Sequence, residues 1–126
     1  MAVQLNHTIV ASRDKARSAN DLADLLGLPA PSEFGPFHVL EVENGVSLDF
    51  MAADEINPQH YAFLVSEDEF DAIFGRIRER GLDFWAEPTG TGKGEINTRD
   101  GGRGLYWESP DGHYLEILTR PYGSGG

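Results

Sequence analysis

The sequence predicts an α+β protein in which two halves repeat the order strand, helix, strand and hairpin. Three observations predict it. Placing His7 on His60, an offset of 53 residues, also places Asp14 on Glu67 and one amphipathic helix on another. The strands that close the halves correspond as Leu48-Asp49-Phe50-Met51 and Leu115-Glu116-Ile117-Leu118, which pairs Asp49 with Glu116. Each closing strand follows a hairpin signal, Asn44-Gly45 in the first half and Ser109-Pro110-Asp111-Gly112 in the second. In the latter, proline presets φ and glycine accepts a left-handed conformation.

Taken in order, Leu5 to Ala11 reads as a strand, β-branched at its middle and carrying His7. Ala19, Leu22, Ala23 and Leu26 recur at helical spacing, with Gly27 placed to end the helix. Pro29, Pro31 and Pro36 predict irregular chain until a strand from Phe37 to Val42, and the hairpin returns through Val46 to Met51. Residues 52–59 read as a connector between a first module of about residues 1–53 and a second of about 60–122, within one domain spanning 1–126. His60 to Val65 is a strand, and Ser66 with Glu69 predicts a capping box. The next helix carries its apolar stripe on Phe70, Ile73, Phe74 and Ile77, acidic at its start, arginine-rich at its end and closed by Gly81. Leu82 to Ala86 reads as another strand, and Glu87 to Gly102 as a long loop or loose hairpin. Pro121 and the Gly-Ser-Gly-Gly that follows Tyr122 predict a frayed end, and His113, after the turn glycine, is expected at the surface.

Composition narrows the chemistry. Zero cysteines leave nitrogen and oxygen as the only metal ligands and remove disulfides and thiol nucleophiles. A formal charge of −11 repels phosphate backbones and anionic lipid, so neither nucleic acid nor a membrane surface is an expected partner. No apolar run nears the roughly 20 residues that span a bilayer, and no basic segment followed by an apolar one opens the chain. A cytoplasmic location is the expectation. The Gly90-Thr91-Gly92-Lys93-Gly94 stretch lacks the Ser/Thr and the strand-to-helix context of a phosphate loop. Neither Gly-x-Ser-x-Gly nor His-Glu-x-x-His is present, so serine hydrolase and zincin readings have no support.

Glu116 stands mid-strand in an apolar segment, where an unpaired carboxylate is costly, so an arginine or a metal ion is expected beside it. If the halves share one curved sheet, His7, His60 and Glu116 converge on its concave face. Two imidazoles and one carboxylate are the ligand set of a nonhaem divalent-metal site with open positions.

Leu-Asn-His7-Thr-Ile-Val, His60-Tyr-Ala-Phe-Leu-Val and Gly-Leu-Tyr106-Trp-Glu-Ser-Pro-Asp-Gly-His-Tyr-Leu-Glu116 together resemble the vicinal oxygen chelate superfamily. That group includes glyoxalase I, extradiol dioxygenases, fosfomycin-modifying enzymes and bleomycin-binding proteins. The resemblance implies two βαβββ modules in one cupped mixed sheet with helices on the outer face, a homodimer, and a divalent metal (iron, manganese or zinc) on His7, His60 and Glu116. It implies a metal-dependent enzyme that chelates two oxygens of a small substrate, dioxygenase-like in preference to a glyoxalase-like lyase. Tyr106, ten residues before Glu116, stands where the dioxygenases carry a catalytic tyrosine, and His38 is the candidate for their acid-base histidine. Lys93, Arg99 and Arg103 are placed to reach an anionic group of a substrate. Ile9 replaces the threonine of the fosfomycin enzymes, and Asp49 is one methylene shorter than glyoxalase I's fourth ligand, so it is expected outside the coordination sphere. The alternative is a metal-free drug-binding protein of the bleomycin-resistance type, for which the acidic surface suits a cationic guest.

Overall fold

The structure, a computed structural model, describes residues 3–125. It is α+β and built as two βαβββ-like modules, as the sequence predicts, and its strands are hydrogen-bonded as two mixed sheets. The chain divides into two compact units, Met1–Asn57 and Pro58–Gly126.

In the first unit β1 (His7–Ser12) runs parallel to β4 (Ser47–Ala52). Beyond β4 lie β3 (Phe37–Glu41) and β2 (Ser32–Phe34), each antiparallel to its neighbour. The crossover is α1 (Lys15–Leu26), begun by Asp14, whose side chain accepts from the Arg17 amide at 3.2 Å, and ended by Gly27 at φ 73. Period-two alternation sends Val10, Leu40, Leu48 and Phe50 to one buried face, and α1 lies against β1, β3 and β4 with Ala19, Leu22 and Ala23 buried. Each large side chain buried this way contributes about 1.5–3 kcal/mol. The proline-rich stretch is not irregular throughout. β2 fits between Pro31 and Pro36 because it is an edge strand, which needs ladder bonds on one side only, and Gly35 at φ 54 turns it into β3.

In the second unit β7 (Tyr114–Leu118) is central, parallel to β5 (His60–Leu64) and antiparallel to β6 (Gly104–Glu108). The crossover from β5 begins with α2 (Glu67–Glu79), whose capping box joins Ser66 and Glu69 in both directions. Arg103, leading into β6, fixes this helix. Its guanidinium donates to Glu67 and Asp71, each at 2.8 Å, and lies 4.4 Å over the Phe70 ring. Leu82 to Ala86 does not form the predicted strand. Trp85 exchanges two backbone bonds with Tyr106, but the Ala86 and Glu87 amides turn back to Gly92 and Thr91. That return is tight, since a Cβ on Gly92 would stand 2.8 Å from that of Ala86. His113 is buried and not at the surface: its Nδ1 accepts from the Gln59 amide at 3.0 Å and its ring meets Tyr61 edge-on. Among the described residues no helix is long and apolar enough to cross a membrane.

Candidate functional site

Glu116 sits on the central strand, on the face opposite Leu115 and Ile117, and is 1% exposed. Its cross-strand neighbours are Ala62 on β5 and Tyr106 on β6. Ala62 presents only a methyl group, so His60, two residues earlier on the same face, reaches diagonally past it. Its Nε2 lies 2.9 Å from Glu116 Oε1. A carboxylate oxygen can only accept, so Nε2 is the donor, an arrangement that in a neutral imidazole makes Nδ1 the acceptor. The His60 and Tyr106 rings lie 5.8 Å apart at 31°.

The other oxygen, Oε2, accepts the hydroxyl proton of Tyr122. That hydroxyl has one proton, so in its 2.8 Å bond with Tyr106 it must accept. Arg99, ion-paired with Glu87, reaches the Tyr106 hydroxyl at 3.5 Å. Donation therefore runs from Arg99 through Tyr106 and Tyr122 to Glu116, and from His60 to Glu116 on the other side. The charge that needed an arginine or a metal is met by an imidazole and a phenol.

This arrangement corrects the expectation of iron, manganese or zinc on His7, His60 and Glu116, and with it the metal-dependent dioxygenase or lyase acting by oxygen chelation. Among the described residues no group of three or more His, Asp or Glu side chains is gathered to hold a metal. Both Glu116 oxygens are taken by hydrogen-bond donors. His7 belongs to the first unit, where its Nδ1 bonds Asn6 Oδ1 at 2.6 Å, and Asp49 accepts from Ser47 Oγ at 2.8 Å. His38, on β3, places Nε2 3.4 Å from Glu33, and its Nδ1 is buried without a hydrogen-bond partner. Arg103 is engaged with α2 as described, and Lys93 pairs with Asp83. Tyr122 is the participant that sequence reasoning missed: it stands at the end of the second module, beside a Gly/Ser-rich segment expected to fray, and no role was read from it. An aromatic side chain alone in a Gly/Ser-rich tail was the available signal.

Both phenols resist ionisation. Burial, then the bonds to Glu116 and Tyr106, push the Tyr122 hydroxyl well above its ordinary value of 10.0, and burial chiefly raises Tyr106. A group with a raised folded pKa adds stability that is fully present below the unfolded value and is lost as pH climbs through the folded one. The thermal midpoint is therefore expected to fall as pH rises past 10.0, the unfolded tyrosine value, and Tyr122→Phe should flatten that fall. Scanning calorimetry across this range checks it, and an unchanged slope in the variant would contradict the assignment.

A face carrying a buried carboxylate on a central strand, with a histidine from its parallel neighbour, belongs to a recognisable class. The chain is a member of the Glyoxalase/Bleomycin resistance protein/Dioxygenase superfamily, whose family model matches residues 4–117. The superfamily includes both enzymes and non-catalytic binding proteins. Among solved structures the chain is similar to "Oxidase ChaP-H1", with 67% identity, coverage of 97% of this chain and 99% of that one, and a TM-score of 0.95. It is likewise similar to "Oxidase ChaP-H2", with 64% identity, full coverage of both chains and a TM-score of 0.97. A more distant relative is the glutathione transferase FosA of Serratia marcescens, 28% identical over 93% of this chain and 81% of that protein.

Proposed function

We propose that the protein is an oxidase for a small organic substrate held against the face shared by His60, Tyr106 and Glu116, with no divalent metal built into that site. The observation that carries this reading is the 67% and 64% identity, over 97% and 100% of the chain, to two structures named as oxidases. The geometry supports it. An oxidase passes electrons from its substrate to dioxygen and must also remove protons from that substrate. His60 is suited to accept one: Glu116 holds its Nε2–H, which leaves Nδ1 as the base. Tyr106 supplies an oriented hydroxyl beside the imidazole. The net charge of −11 favours a neutral or cationic substrate over an anionic one.

The test is dioxygen uptake matched to substrate loss, using protein dialysed against a strong chelator. Uptake is expected to survive dialysis. Uptake that disappears and returns with one equivalent of added metal would overturn the metal-free site. One observation favours a second reading, a metal-free small-molecule-binding protein: the hydrogen bonds of Glu116 are complete without any cofactor. A compound that binds without being consumed and without any oxygen uptake would favour that reading.

A further inference from the structure

The chain's last described residues form a strap with its own latch. The amides of Gly123 and Gly125 donate to the two carboxylate oxygens of Asp100, at 3.0 and 3.1 Å. Asp100 is the one non-glycine residue with positive φ, at 57, among the described residues. A left-handed conformation there costs about 1–2 kcal/mol, and it is retained where two amides from 23 and 25 residues away converge on its side chain. The strap fits its latch closely: a Cβ on Gly125 would stand 2.4 Å from Asp100 Cα. Arg120 adds a bond to the Ser124 carbonyl at 3.1 Å. What the strap delivers is Tyr122, with its residue surface 60% exposed and its hydroxyl on Glu116 Oε2 and Tyr106.

We propose that Tyr122 is a specificity-determining residue of the small-molecule site and that Asp100 is the residue that positions it. This rests on the reading of the site given above. Glu116 has two acceptor oxygens. His60, on the neighbouring strand, holds one, whereas the other is held by a phenol on a tether. A ligand whose hydroxyl takes the place of the Tyr122 hydroxyl on Glu116 competes with a phenol whose backbone is held by Asp100. A ligand that engages His60 alone leaves both in place. Tyr122 thus acts as a tethered competitor against hydroxyl donors, and the latch sets how strongly it competes.

Phenol is the probe, because it reproduces the Tyr122 side chain without the tether. Its binding is followed by NMR titration on the whole protein. Tyr122→Ala is expected to bind phenol about tenfold or more tightly than wild type, the worth of one hydrogen bond to a charged group. Asp100→Gly keeps the positive φ accessible and removes only the carboxylate. It is expected to raise phenol affinity in the same direction and to speed amide exchange at Gly123 and Gly125. Gly125→Ala, which forces the strap off the Asp100 backbone, should match it and stands in if Tyr122→Ala does not fold. A folded Tyr122→Ala that binds phenol no better than wild type overturns the role of Tyr122. Faster exchange in Asp100→Gly with unchanged phenol affinity overturns the positioning role, since a merely structural latch would behave that way. Neither readout involves turnover, so absent oxygen uptake would remove the oxidase reading and leave this result standing.

Discussion

Glu116→Gln is expected to lower substrate-dependent oxygen turnover by about 10²- to 10⁴-fold, the range over which positioned acid-base groups act. The reason is donor counting. Glu116 accepts from His60 on one oxygen and from Tyr122 on the other, and glutamine offers one acceptor and one NH₂. If the amide turns NH₂ toward His60, Nε2 must become the acceptor and the ring proton moves to Nδ1, so the proposed base is gone. If it turns NH₂ toward Tyr122, the phenol chain reverses or breaks. Losing bonds to a charged acceptor costs about 1.5–3 kcal/mol each, so the thermal midpoint should fall as well. Steady-state kinetics on folded variant protein make the check. A kcat within a few-fold of wild type would mean that the reaction does not need the Glu116 carboxylate.

Phe70→Ala carries the largest expected loss of stability, about 3–5 kcal/mol. Phe70 is 0% exposed, its ring lies 5.8 Å from that of Phe74, and it is the platform on which the Arg103 guanidinium rests between Glu67 and Asp71. Truncation opens a cavity under α2 and leaves the guanidinium without its apolar support. Domains of this size are stable by about 5–15 kcal/mol, so the change removes a large share of the whole. Urea unfolding measures it, and a loss under about 1 kcal/mol would mean that the site collapses to fill the void.

The repeat was legible because it is written in local signals: histidines opening corresponding strands, Gly27 and Gly81 after the helices, and turn signals before the closing strands. The capping box of Ser66 and Glu69 depends on residues three apart and was readable for the same reason. β2 escaped because three residues between prolines give no periodicity, and its existence depends on pairing with β3. Leu82 to Ala86 has strand composition, yet its partners are decided by where the chain reverses at Glu87. The site was half legible. The mid-strand position of Glu116 and its convergence with His60 were legible, but what satisfies the carboxylate could not be read from spacing. A histidine and a carboxylate can share a metal or share a proton. The deciding residue, Tyr122, arrives from the tail by way of Asp100, a long-range contact with no sequence pattern.

The pairing of β5 with β7 also bears on the order in which the site comes into being. A hairpin such as β6 and β7 closes a short loop, whereas a parallel pair must first close the whole crossover, and loop entropy makes such contacts late and slow. His60 and Glu116 are 56 residues apart in the chain, and the bond between them exists only once that crossover has closed. The bond between His60 and Glu116 is therefore expected to form after the local contacts of the helix and the hairpin. The proposed site thus depends on the most demanding contact in its unit, a parallel pairing that spans the whole crossover.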